Sequence, residues 1–349
     1  MKLLVFTQKV DKNDSVLGFF HSWILEFSKH FDSVEVICLE KGDFDLPKNV
    51  RVHSLGKELG GGKILYLQTS IKYLYLLNNK YDRVFVHMNP IYIVLGGFYW
   101  KLRNIPVFLW YTHRQVDLKL KIAIFFARNV FSSTKESMAV ATNKVFYIGH
   151  GIDVVKFPNT SHLYTMGTLR IAHIGRISRI KNIETIIDAV YELKSKSNCN
   201  LELFLYGDTV TAEDRIYKEE LVKLIEDKDL KRDIAFKGWI KQAEIPVLLS
   251  DFHLTVNMAP RGGMDKSVLE SILLGLPTFV ANTAFADLFG QYGRIFLFQY
   301  GNSHSLTEKI YEFINMAHTE GILNSLDSKV RSDFSVETVI GKMLPFIIK

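Results

Sequence analysis

Cysteine is scarce: 349 residues hold two, Cys38 and Cys199, far apart. A disulfide-stapled fold is not expected, and a reducing, cytoplasmic setting is. No CxxC or HExxH spacing occurs, so no metal site and no bound cofactor is expected. Long apolar runs are also missing. The most apolar one, Ile91 to Trp100, is about half of what a membrane span needs. Met1-Lys2 leads into LLVFT and stops at Gln8-Lys9, too short for a signal-peptide core. There is no P-loop and no Ser-His-Asp elbow. The first apolar strand runs into TQKVDKNDSVLG without a GxGxxG fingerprint, which disfavours a dehydrogenase. Neither repeats nor low-complexity tracts appear.

What is present is ordinary globular composition, 48% hydrophobic and 23% charged, at a length suited to two domains. The net charge of +6 is uneven. Up to Val155 there are 20 Lys+Arg against 13 Asp+Glu; the remainder has 23 against 24. A basic half suits an anionic partner, here a membrane surface rather than nucleic acid. The stretch LKLKIAIFFAR, Leu118 to Arg128, alternates cations with apolar groups. It reads as a membrane-surface helix or as a core helix between strands.

Short apolar runs alternate with helical periodicity throughout. Lys2–Thr7, Val34–Leu39, Val50–Leu55, Arg83–His87, Val107–Tyr111, Val130–Ser132 and Lys144–Ile148 read as strands, the first followed by a polar loop over Gln8–Leu17. Gly18–His30, Ile64–Asn78 and Leu118–Ala127 read as helices. After Gly149-His150-Gly151-Ile152-Asp153 and a loop to Gly167, the alternation restarts at Leu169 and runs to a last helix, Ser335–Ile348. Within it, Arg294–Phe298 reads as a strand. The pattern predicts an α/β fold of two doubly wound, Rossmann-like domains. The expected division is residues 1–155 with 335–349, and residues 156–334, with ligand in a cleft between them.

Three groups can do chemistry. Gly175-Arg176-Ile177-Ser178-Arg179-Ile180-Lys181 places three cations between a strand and a helix, where a diphosphate can be held. The stretch RGGMDKSVLESILLGLPTFV offers the amides of Gly262 and Gly263, the charge of Lys266, and Glu270 as an acceptor for ribose hydroxyls. His113, beside Arg114, closes the strand VFLWYTH, where it can bond a sugar hydroxyl or move a proton. His87, Asp11 and Asp14 are weaker candidates of the same kind.

These motifs resemble family-four retaining glycosyltransferases, the glycosyl transferases group 1 with the GT-B fold. The resemblance lies in GHGIDVVKF, GRISRIKNIETII, FKGWI and SVLESILLGLPTFVAN, which follow one another between Gly149 and Asn282. It implies metal-independent, hexosyltransferase-like transfer from a UDP- or GDP-linked sugar to a hydroxyl of a glycan or lipid-linked glycan. Arg176 and Lys181 would hold the diphosphate, with Gly175 beside them, and Glu270 the ribose. Trp239 and Ile240 would flank the base, and His113 would face the donor sugar. A C-terminal helix crossing back to the first domain and a peripheral position on the inner face of the cell membrane fit the same picture. Two departures stand out. Gly262 sits where the family often has a first glutamate, and Gly18 stands alone where a glycine pair is common. Competing expectations are a nucleotide-sugar epimerase and a non-catalytic nucleotide-sugar-binding protein.

Overall fold

The computed structural model describes residues 1–14, 16–140, 142–160, 164, 167–197 and 199–349. Part of the expected loop to Gly167, residues 161–163 and 165–166, lies outside them. The chain forms two compact units, Met1–Asp153 with Asp333–Lys349, and Val154–Ser332.

The first unit is built on seven strands: β1 (Lys2–Val10), β2 (Ser33–Lys41), β3 (Val50–Ser54), β4 (Arg83–His87), β5 (Val107–Trp110), β6 (Asn129–Ser132) and β7 (Val145–Tyr147). All pair in parallel, in the order β3-β2-β1-β4-β5-β6-β7. The helices between them are α1 (Phe20–His30), α2 (Lys63–Leu76), α3 (Ile91–Leu102) and α4 (Leu118–Phe126). The apolar run Ile91–Trp100 thus lies within α3. Its Gly97 lets α4 approach closely, since a Cβ there would sit 2.6 Å from the Phe126 ring. Among the described residues no helix is long and apolar enough to cross a membrane.

Strand β1 runs three residues past the expected loop start. Its pairing with β2 continues to Val10↔Lys41, and Lys9 holds the extension by meeting Glu40 at 2.6 Å and Asp14 at 2.9 Å. Asp11 and Asp14 are turned inward by this. Asp14 also accepts from the amides of Val16 and Leu17, and Asp11 from that of Asn13. They organise the loop and do not present acceptors to a ligand.

The second unit has five parallel strands in the order β10-β9-β8-β11-β12. They are β8 (Thr168–Ile174), β9 (Asn200–Tyr206), β10 (Ile234–Gly238), β11 (Leu254–Asn257) and β12 (Thr278–Val280). Its helices are α5 (Ile183–Lys196), α6 (Ala212–Asp227), α7 (Ile245–Leu249), α8 (Lys266–Leu273), α9 (Ala286–Phe289), α10 (Gly293–Phe296), α11 (Ser303–Ile314) and α12 (Glu320–Phe334), whose last two residues fall in the first unit. The strand expected at Arg294–Phe298 is a correction: it is mostly α10, and only a bridge from Leu297 to Val280 remains. The cause is packing. Phe296 is fully buried against the rings of Phe279, Phe289 and Phe313, 5.4 to 5.8 Å away, and a short apolar run adopts whichever backbone buries it. α12 has no counterpart in the sequence-based expectation.

The last helix, α13 (Val336–Ile348), returns to the first unit and packs with α1. Val339, Ile340, Met343 and Ile347 join Trp23, Phe27, Phe85 and Phe108 in one cluster on that face of the sheet. The opposite face is covered by α2, α3 and α4 through Leu74, Leu77, Ile93, Trp100 and Leu120. Each fully buried large side chain contributes roughly 1.5–3 kcal/mol before entropy is counted.

Candidate functional site

Ligand crevices of open parallel sheets form beyond the carboxyl ends of the strands. In the second unit β8 ends at Ile174, and Gly175 follows. Its N–H donates to Tyr206 O at 2.9 Å. Gly207, next along β9, has φ of +127°, and a Cβ there would lie 1.9 Å from Gly175 O. Two backbones therefore cross where only glycine fits.

The three expected cations diverge. Arg176 donates from Nε and Nη2 to both oxygens of Asp214, at 2.8 and 3.0 Å, and stays 42% exposed. Asp214 sits in the first turn of α6 in a capping box with Thr211. Burial opposes ionisation of Asp214, but the Thr211 and Val210 amides and Arg176 outweigh it and hold the carboxyl at about 2. Arg179 faces outward to Glu220 at 2.6 Å. Lys181 points inward, 17% exposed, and meets Asp265 at 2.6 Å.

Asp265 is the N-cap position of α8. Its Oδ2 also accepts from Asn257 Nδ2 at 2.8 Å. Burial would raise this carboxyl; Lys181 and the Asn257 amide reverse that and keep it below the ordinary carboxylate range. The glycine pair before it is shaped by Asn282, which accepts from Gly262 N–H at 3.3 Å and donates to Gly263 O at 2.9 Å. The Gly262 amide, expected as a phosphate donor, is thus already engaged. Lys266 is half-buried at the first turn of α8, and Glu270 is buried on the second. Gln242, from the loop after β10, donates to Glu270 Oε1 at 2.9 Å. Burial pushes the Glu270 carboxyl up, against that hydrogen bond. Trp239, 50% exposed, and the part-buried Ile240 lie in the same loop.

Beneath Lys181 lies His173, fully buried on β8. Its Nδ1 lies 3.0 Å from Val256 O and donates to it, which leaves Nε2 an acceptor without a partner among the described residues. Burial drives this imidazole down from 6.5 to about 4. The neutral form is therefore the folded form. Its contribution is complete above pH 6.5 and is lost as pH falls towards 4, because the unfolded chain takes up the proton first. A loss of about 2 kcal/mol between pH 7 and 5 is expected. His173→Asn should flatten that part of the profile, measured by urea unfolding at both pH values.

His113 belongs to the first unit. The strand expected to close on it ends earlier, at Trp110, and His113 is exposed in the following loop with its ring 5.7 Å from that of Tyr111. His87 does end a strand, but it is buried, stacked on Phe20 at 4.0 Å and bonded to Thr7 Oγ1 at 3.2 Å.

The structure thus joins Lys181 to the start of α8 and Gln242 to Glu270 on the same helix, with Gly175 in the loop that carries Lys181, and turns Arg179 outward. Asp214, Asn257, Asn282, His173 and Gln242 were not singled out from the sequence. Asn257 and Asn282 stand at the ends of β11 and β12, so reading every strand end of the second unit would have found them. Among the described residues no group of His, Cys, Asp and Glu is large enough to hold a metal ion.

A poly(ribitol-phosphate) alpha-N-acetylglucosaminyltransferase of Staphylococcus aureus is 24% identical over 180 residues, 50% of this chain. The match spans only 34% of that relative's length. The Anabaena protein HepE, crystallised with UDP and glucose, superposes with a TM-score of 0.75 at 18% identity, covering 100% of both chains. Sucrose-phosphate synthase of Thermosynechococcus elongatus gives 0.76 at 13%, covering 99% of this chain and 98% of that one. At such identities the structures speak for the fold alone, and that fold is GT-B. Residues 168–316, which carry every site residue named above except His113 and His87, match the family model of the glycosyl transferases group 1.

Proposed function

We propose that this protein transfers a sugar, with retention and without a metal ion, from a nucleoside-diphosphate sugar to a hydroxyl of a glycan or lipid-linked glycan. One observation carries this: two strand-end loops meet at α8. Lys181, from the loop after β8, pairs with Asp265 at the helix start. Gln242, from the loop after β10, holds Glu270 one turn further in. A cation and a helix N-terminus suit a diphosphate, and a fixed carboxylate suits ribose hydroxyls. UDP in the HepE crystals favours uridine as the base, and the staphylococcal relative's name favours a polymer acceptor. In the reaction, Lys181, the exposed side of Arg176 and the first amides of α8 stabilise the charge that builds on the leaving diphosphate.

Thermal shift with UDP, GDP and their sugars tests the proposal. A ligand at 100 times its Kd adds about 2.7 kcal/mol. A panel in which no nucleotide raises Tm would overturn it.

Asp265 puts a carboxylate where a diphosphate would meet Lys181. Asp265→Asn is accordingly expected to tighten nucleoside-diphosphate binding by about tenfold, since like charge no longer faces the ligand. Calorimetric titration reads this directly. A weaker Kd would mean that Asp265 instead holds Lys181 in position.

A further inference from the structure

The second unit keeps charged groups on the outer faces of its helices, as in IETIIDAVYELKSK of α5 and AEDRIYKEELVKLIED of α6. The first unit does not. α2 buries Ser70 and Leu74 inward, and it carries a second apolar stripe outward. Ile64, Leu67, Ile71 and Tyr75 follow helical spacing and are all exposed, Ile64 by 75% and Tyr75 by 79%. α3 repeats this with Leu95, Phe98 and Leu102, and α4 with Leu118 and Phe125. Isolated exposed apolar groups are ordinary; a stripe on each of three neighbouring helices is not.

The stripes lie on one face. α2, α3 and α4 cover the same side of the sheet. Tyr99 of α3 donates to Asn78, just beyond α2, at 2.8 Å, and Lys101 of α3 lies 4.7 Å over the Phe125 ring of α4. The charge on these helices is of one sign. Their sequences, KILYLQTSIKYLYL, IYIVLGGFYWKL and LKLKIAIFF, hold five lysines and no aspartate or glutamate. All five lysines are exposed.

We propose that this three-helix face docks flat on an anionic lipid bilayer. Apolar side chains would enter the boundary between headgroups and acyl chains, while lysines and tyrosines stay at headgroup level. A second copy fits less well, since identical faces would bring lysine against lysine. None of these helices is long enough to cross, so the mode is attachment to one leaflet. The surface is defined independently of the transfer reaction.

The test is co-sedimentation of the full chain with phosphatidylcholine vesicles, with and without phosphatidylglycerol. Binding is expected with phosphatidylglycerol, weakening as salt rises. Omitting the anionic lipid should reduce it at least about tenfold, as should Ile71→Glu/Phe98→Glu or Lys72→Gln/Lys121→Gln. The lysine pair keeps the test valid should the glutamate pair misfold. Absence of binding to the anionic vesicles overturns the proposal, and so does unchanged binding by both double variants. Lipid-free self-association that Ile71→Glu/Phe98→Glu abolishes overturns it in favour of a second copy. UDP binding, measured on the same samples, reports on the donor site separately.

Discussion

Lys181→Ala is expected to weaken nucleoside-diphosphate binding at least about 100-fold and to abolish transfer. Two effects act in the same direction. The ammonium that would meet the diphosphate is gone. Asp265, 28% exposed, its side chain bonded otherwise only to Asn257 among the described residues, then faces the incoming ligand with its charge uncompensated. The unliganded protein should also lose ~1–3 kcal/mol, because a partly buried carboxylate has lost its counter-charge. The double variant Lys181→Ala/Asp265→Asn separates the two effects. It should regain stability yet remain a poor binder, and the Kd difference between the single and double variants measures the repulsion alone. Calorimetric titration with UDP and a melting curve suffice. Wild-type affinity in Lys181→Ala would remove Lys181 from the site.

Gly207→Ala is expected to cost the second unit more than about 3 kcal/mol. The new methyl would meet Gly175 O at 1.9 Å, backbone against backbone, at a φ of +127°. Neither strand end can give way without opening the β8–β9 pairing that runs up to Ile174↔Tyr206. At this size Tm should fall by roughly 6–12 °C. Nucleotide affinity should fall too, since Gly175 and Arg176 are displaced together. Gly60→Ala is the control. Gly60 is also left-handed, at φ 77° and ψ 18°, but nothing lies within 4 Å of its Cβ position. Left-handed backbone alone costs an alanine about 1–2 kcal/mol, and the excess at Gly207 is the crossing.

Much of the fold is legible in the sequence because a buried parallel strand announces itself. LLVF, VEVIC and LELFLY are short, apolar and bounded by polar residues, and each is a strand. RIFLF has the same composition and is mostly helix, because three phenylalanines from other elements decide where Phe296 goes. Lys181 is legible as an inward cation, since it precedes a helix at a strand's carboxyl end. Its carboxylate partner is not, because Asp265 lies 84 residues away. Arg176 shows the same limit: Asp214, 38 residues on, takes two of its nitrogens. The three outer stripes were hidden for another reason. A helix that is apolar all round gives no periodicity from which inside and outside can be told.

The return of α13 to the first unit has a consequence for biogenesis. Strands β1 to β7 leave the ribosome before the second unit does, but one face of their sheet is then covered by α1 without α13 beside it. Trp23, Phe27, Phe85 and Phe108 share their cluster with Val339, Ile340, Met343 and Ile347. Residues 154–332 must be made in between, which takes roughly 10–40 s at ordinary rates of synthesis. Throughout that interval the nascent chain displays a row of aromatic rings awaiting its last helix, the surface on which a chaperone would act. The second unit, continuous in sequence, closes its own core meanwhile. The half made first is thus the half completed last.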